Sequence, residues 1–332
     1  MSRQPWPFLI GAQCAVLLAA ILALCFGALH VSVSTVVQAL FLPGGNLDEV
    51  AIRSLRMPRV ILAAIVGAAL AGSGALLQGI TRNPLGSPDL FGLLSGAECG
   101  VVVALYVFGS HSEFIATLAG IAGGALALVL VFAIAQLSRQ SHSVVAVAIA
   151  GFSVGILVDG ITGILIKWRE TQYESLNRWA EGSIGGRDPE ITWAIVPVVL
   201  LALALGMFCA RQLNVVNLGD EVAIGLGLRT RRLRLITFGA VLALTACSVT
   251  AAGPIAFIGL IAPHVARAFT GPDYRFVIPG AALVGSAALI LADLCARTIL
   301  RGVFDELPIA ALTSAIGAPA LLFILRRQIR TS

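Results

Sequence analysis

Long apolar runs separated by short polar connections dominate this chain. A hydrocarbon layer about 30 Å thick takes roughly 20 apolar residues per helix. Ten stretches approach that length: 8–29, 60–80, 91–109, 114–137, 144–166, 191–210, 235–252, 254–269, 276–296 and 308–325. The pattern predicts an all-α polytopic membrane protein, a single membrane domain over 1–332 with ten spans. The eighth stretch is the weakest, because Pro254 and Pro263 interrupt it and Arg267 lies near its end. The first is too long for a secretory signal core of about 7–15 residues. Gly27-Ala28-Leu29-His30 is also a poor cleavage site, so the run reads as a retained span.

One connection stands apart. Residues 213–234 read LNVVNLGDEVAIGLGLRTRRLR, too polar for a bilayer yet patterned. Asp220, Glu221, Ala223, Ile224, Leu226 and Leu228 suggest two short amphipathic turns, with Gly219, Gly225 and Gly227 as bends. Arg211, Arg229, Arg231, Arg232 and Arg234 edge the insert. A structured insert in an otherwise apolar chain points to a soluble partner.

Composition narrows the class. Hydrophobic residues make up 58% and charged residues 12%, against about 25% charged in soluble domains. The net charge of +5 does not indicate nucleic acid, because the basic residues are scattered between apolar runs. With the N-terminus placed inside, basic residues gather mainly on that side, and acids offset most of those outside. This bias predicts cytoplasmic N- and C-termini and a cytoplasmic insert. Cys14, Cys25, Cys99, Cys209, Cys247 and Cys295 lie in or beside apolar runs without metal-like spacing, and no disulfide is expected.

Catalytic motifs are weak. Gly151-Phe152-Ser153-Val154-Gly155 matches the nucleophile-elbow pattern, which needs a strand-to-helix turn in a soluble sheet. Here it falls in an apolar span, and His30, His111, His142 and His264 fall in different connections, so it reads as a packing motif. Lys167, the one lysine, precedes Trp168, so there is no phosphate-binding loop of the G-x-x-x-x-G-K-[ST] type. An ATP-driven process would need its ATPase on another chain. Glu98, Asp159 and Asp293 fall in or near spans, where a central carboxylate costs about 2.5–3.5 kcal/mol on insertion scales. With no basic partner evident, they read as groups facing a wet cavity or making helix–helix hydrogen bonds, ahead of a proton relay or cation path.

Gly96 with Gly100, Gly120 with Gly124, Gly151 with Gly155, and Gly67 with Ala71 and Gly74 recur at helix-packing spacing. Thr81-Arg82-Asn83-Pro84-Leu85-Gly86-Ser87-Pro88-Asp89 predicts a rigid turn, with Asp89 placed to cap the following helix. Arg53, Arg56 and Arg59 precede the second span, and Arg297 and Arg301 follow the ninth. They suit snorkelling anchors or a docking point for carboxylates.

Together the motifs resemble the permease subunits of ABC importers for iron-siderophore complexes and vitamin B12. The resemblance runs from about residue 53 to 325. It rests on RMPRVILAAIVGAALAGSGALLQGITRNPLGSPDLFGLLSGA (56–97), WAEGSIGGRD (179–188), LGDEVAIGLG (218–227), GPIAFIGLIAPHVAR (253–267), LADLCAR (291–297) and ELPIAALTSAIGAP (306–319). RNPLGSPD and GPIAFIGLIAPHVAR look most like the ferric-enterobactin branch. Ala310 departs from the family's usual glycine, which implies a local change in helix packing.

The resemblance implies the ten-span fold of type II ABC importer permeases and no catalysis in this chain. It also implies partners: a second permease, identical or paralogous, a dimer of cytoplasmic ATPase subunits carrying ATP and Mg, and a periplasmic substrate-binding protein. The cargo would be a ferric siderophore crossing the bacterial inner membrane, with vitamin B12 or haem as alternatives on the same scaffold. The resemblance assigns the ATPase-coupling segment (213–230) to Gly219, Asp220, Glu221, Ala223, Gly225 and Gly227. It gives Arg56, Arg59 and Arg297 to docking of the binding protein, and Asn83, Leu85, Ser141 and Ser143 to the cytoplasmic gate. The fifth and tenth spans would line the path. The rival of another class is a secondary transporter driven through Glu98, Asp159 or Asp293.

Overall fold

The computed structural model describes residues 4–27, 31–41, 47–107, 112–137, 144–168, 179–298 and 307–329. Among them every regular element is helical. In chain order these are α1 (Pro5–Cys25), α2 (Val33–Phe41), α3 (Leu47–Ala51), a π turn (Ile52–Arg56), α4 (Met57–Thr81), α5 (Leu93–Val107), α6 (Glu113–Leu137) and α7 (Val144–Trp168). Then follow α8 (Pro189–Val216), α9 (Asp220–Gly225), α10 (Thr230–Ala252), α11 (Ile258–Thr270), α12 (Tyr274–Thr298) and α13 (Ile309–Ile329).

Among the described residues, seven helical stretches are long and apolar enough to cross a membrane: Pro5–Cys25, Glu49–Thr81, Phe114–Gln136, Ala146–Trp168, Pro189–Val216, Thr230–Ala252 and Tyr274–Thr298. The other three predicted spans hold shorter helices or shorter apolar stretches. α5 has 15 residues and α11 has 13, the latter a rise of only about 20 Å. In the third, the apolar stretch at the start of α13 runs over Ile309–Phe323. His264 lies inside α11 and not in a connection. α2 and α3, between the first two predicted spans, had no counterpart in the sequence reading.

The core forms around α4, which is rich in Gly and Ala and buried along most of its length. Its small residues let other backbones come close. A Cβ on Gly74 would lie 1.8 Å from the Gly259 carbonyl oxygen of α11, and one on Gly67 would lie 2.3 Å from that of Gly285 in α12. At Gly72 the neighbour is a side chain, with a built Cβ 2.4 Å from a methyl of Leu203 in α8. A second group is built from α5, α6 and α7. There Gly96 meets Gly123, and Gly100 meets the Ala119 carbonyl at 2.1 Å from a built Cβ.

Gly151 packs its helix against the backbone of Leu90, 2.2 Å from a built Cβ, while the Ser153 hydroxyl donates to the Ile149 carbonyl at 2.8 Å. The G-x-S-x-G stretch is therefore continuous helix at a close crossing, without the strand-to-helix turn a nucleophile needs.

The 179–186 segment tucks beneath α10. Trp179 Nε1 donates to the carbonyls of Val249 and Thr250 at 2.8 and 3.2 Å. Gly253, with φ 72, comes so near the Trp179 carbonyl that a Cβ would sit at 1.9 Å. Ala310 packs here too: a Cβ on Gly182 would be 2.7 Å from its own Cβ. α1, α6, α7 and α8 keep broad outward faces of Leu, Ile, Val, Phe and Trp, as expected where lipid or another membrane helix replaces water.

Candidate functional site

Polar chemistry collects at the two ends of the bundle. α4 and α12 run in opposite directions through its centre. Each spans 25 residues, about 37 Å, so the start of α4 and the end of α12 share one end.

At that end Asp293 of α12 is 1% exposed and binds two arginines. Arg59 Nε and Nη2 reach its Oδ1 at 2.9 and 2.8 Å, and Arg297 Nε lies 3.1 Å from Oδ2. The arginine side chains are 16% and 10% exposed. Asp293 therefore has basic partners, contrary to the sequence reading; Arg59 lies 234 positions away along the chain.

Arg297 also donates to the Ala23 carbonyl at 3.5 Å, and Arg56 to the Leu24 carbonyl at 2.7 Å. These are carbonyls of the last turn of α1, which lack partners within their own helix and sit at its negative end. Gly27 borders the cluster: a Cβ there would lie 3.5 Å from both guanidinium groups, an ordinary contact distance. Thus Arg56, Arg59 and Arg297, assigned together from sequence, converge on one carboxylate and one helix terminus.

At the opposite end stand α9, the close of α4 and the start of α12. α9 is a single six-residue helix from Asp220 to Gly225. The second predicted turn is absent: Leu226–Arg229 is turn and irregular chain before α10. Gly219 enters with φ 125 and Gly227 leaves with φ 78, backbone values that favour glycine. Ala223 is buried and pins the helix to the bundle, while Leu218, Val222, Ile224 and Leu226 are exposed beside the exposed Glu221. Gly225 has nothing within 4 Å of a built Cβ. The result is a small apolar knob with an acidic edge, flanked by the arginines that open α10.

Asn83 is buried, and its side-chain oxygen accepts from the Leu85 amide at 2.9 Å, folding the 83–86 turn. Ser141 and Ser143 lie outside the described residues. Asp89 does not cap the helix that follows it. Its carboxylate accepts from the amide of Phe257 at 3.4 Å, where φ is 68 at the entrance to α11. Nearby, Asn214 donates to Asp273 at 2.7 Å and accepts from the Tyr274 amide at 2.9 Å. Arg275, bonded to the same carboxylate, is the main cause that lowers Asp273 to about 2, with Asn214 adding to it against burial. A lowered carboxyl contributes stability in full above its ordinary value and loses it as pH falls towards 2.

Within the membrane region Asp159 of α7 lies near Ser95 and Glu98 of α5. No group of three or more His, Cys, Asp or Glu with metal-binding geometry occurs among the described residues.

The sequence profile of the FecCD transport family matches residues 15–327. The chain is 38% identical over 329 residues to the iron(3+)-hydroxamate import system permease protein FhuB of Bacillus subtilis (strain 168), covering 97% of this chain and 83% of that protein. It is 34% identical to the Fe(3+) dicitrate transport system permease protein FecC of Escherichia coli (strain K12), over 92% of both chains. Among solved structures it resembles a metal-chelate type ABC transporter in an inward-facing conformation, with 28% identity and a TM-score of 0.79 over 96% of this chain and 98% of the other. PsaBC from Streptococcus pneumoniae, at 16% identity and a TM-score of 0.61 over 87% of this chain and 94% of its own, shares the fold.

Proposed function

Because the chain belongs to the FecCD transport family, we propose that it is the permease subunit of an ATP-driven importer of ferric siderophores in the bacterial inner membrane. It forms a ten-span unit with both termini in the cytoplasm, and it pairs with a second permease through part of the apolar surface left outside the bundle. A cytoplasmic ATPase dimer, carrying the ATP and Mg, docks on α9. A periplasmic binding protein delivers cargo to the opposite end. The iron(3+)-hydroxamate and Fe(3+) dicitrate systems of the relatives support the cargo class.

The observation that carries the reading is the exposed knob of Leu218, Val222, Ile224 and Leu226 beside Arg229, Arg231 and Arg232. Apolar side chains among so many charges are poorly placed for lipid and well placed for a pocket on a soluble partner. The arginines at the other end suit carboxylates of a binding protein. Asn83 and Leu85 belong to the gate on the ATPase side, together with Ser141 and Ser143. A transporter driven by an ion gradient has less support, since Asp293, one of the three acids it would use, is committed to Arg59 and Arg297.

Gly225→Trp tests the coupling role. The site is open, so the permease should still fold, while an indole on the knob obstructs the ATPase pocket. Pull-down of the ATPase and iron uptake should both fall at least about tenfold, equivalent to 1.4 kcal/mol of lost contact. Unchanged uptake with the ATPase still bound would remove α9 from the interface. A second arm offers vitamin B12 or haem in place of ferric siderophore, and uptake of either alone would reassign the cargo.

A further inference from the structure

Asp220 joins α9 to two other elements at once. Its Oδ2 accepts from Arg82 at 3.1 Å and from Arg234 at 2.9 Å. Arg234 lies in the first turns of α10. Arg82 closes α4 and directly precedes Asn83. Its φ is 52, in the left-handed region that a residue with a Cβ occupies only at a cost. Its neighbours fix it there: Thr81 Oγ1 donates to the Leu77 carbonyl at 2.6 Å, and the Gly86 amide to the Asn83 carbonyl at 3.0 Å. The direction in which the chain leaves α4 is therefore set at Arg82, and the side chain of that residue is tied to α9.

We infer that the Asp220–Arg82 ion pair is the mechanical link between the coupling helix and the gate turn, with Arg82 as its positioning residue. The inference rests on the reading of α9 as the ATPase-docking element and of Asn83 and Leu85 as gate residues. When α9 moves with a docked ATPase, the carboxylate carries the Arg82 guanidinium with it. The motion reaches a backbone hinge one residue before Asn83. Exposed ion pairs add little to stability, and both arginines here are more than 40% exposed, so the pair is better suited to transmission than to holding the fold. Asp220 Oδ1 is buried and has no hydrogen-bond partner among the described residues, which leaves Oδ2 as the shared anchor. A docked ATPase would cover this surface and reduce the solvent around the pair, strengthening it. The link would then be tightest in the assembled transporter.

The test uses the complete transporter in proteoliposomes, with radioactive iron supplied as a ferric hydroxamate. Iron taken up is divided by ATP hydrolysed. Arg82→Gln should lower this ratio about three- to fivefold, the factor an exposed pair can carry, while the ATPase stays bound and active. Arg82→Lys, which keeps the charge, should retain most of the ratio. Arg234→Gln, which leaves the gate link intact, should stay near wild type. A wild-type ratio in Arg82→Gln would overturn the inference. So would an equal fall in Arg234→Gln, because Asp220 would then only be holding α9 in place. The underlying docking reading fails differently, through an ATPase that remains bound to Gly225→Trp.

Discussion

Asp293→Asn should destabilise the protein by about 3–5 kcal/mol, the usual effect of breaking a buried ion pair from one side. Arg59 and Arg297 would keep their charges at 16% and 10% exposure after losing the carboxylate they share. An amide can still hydrogen-bond one of them but cannot offset either charge. The expected result is a lower melting temperature of the purified chain in lipid nanodiscs, with looser attachment of α1, whose last carbonyls receive Arg56 and Arg297. The double variant Arg59→Gln/Asp293→Asn should recover part of the loss, because it removes one of the stranded charges. A single variant that melts like wild type would mean that water or lipid headgroups already neutralise the cluster. Asp293 also bears on docking. Carboxylates of a binding protein would meet guanidinium groups already oriented by one internal acid.

Gly74→Ala carries the second large effect. The added methyl would lie 1.8 Å from a backbone oxygen of Gly259, so no side-chain rotation can relieve it. α4 and α11 must move apart along their crossing. Overpacking typically costs about 1–3 kcal/mol, and a backbone-to-backbone clash belongs at the upper end or above. Gly67→Ala, facing Gly285 at 2.3 Å, should behave alike. Gly160→Ala is the control, since nothing lies within 4 Å of its Cβ. Melting and monodispersity should separate Gly74→Ala and Gly67→Ala from this control. Equal behaviour of Gly74→Ala and Gly160→Ala would show that α4 and α11 do not cross this closely in the membrane.

The helices were legible because a bilayer imposes an apolar run on each, and such runs can be read without knowing any neighbour. Contacts between helices were legible only by half. The spacing of Gly96 and Gly100 marks a close approach, but nothing local names Gly123 and Ala119 as what they approach. The Arg59–Asp293 pair was hidden for the same reason, since its partners lie far apart in sequence. α2 and α3 were missed because their amphipathic pattern is short and bounded by Pro, Gly and polar residues, which reads as a loop. In the candidate site, Gly219 and Gly227 announced their bends correctly. Which apolar residue of α9 turns inward was not readable, because a six-residue helix is too short to establish a periodicity.

The π turn at Ile52–Arg56 has a consequence for the evolution of this chain. A π turn accommodates one residue more than the α-helical phase allows, and it stands directly before α4. Losing a single residue there would restore regular α-helical pairing and leave the helix on either side close to its present phase. Arg53, whose guanidinium bonds the Ala39 carbonyl of α2, lies inside the turn, so its direction is what such a loss would change. The turn thus takes up one residue of length without disturbing how α3 and α4 follow one another, and uses it to aim Arg53 at α2.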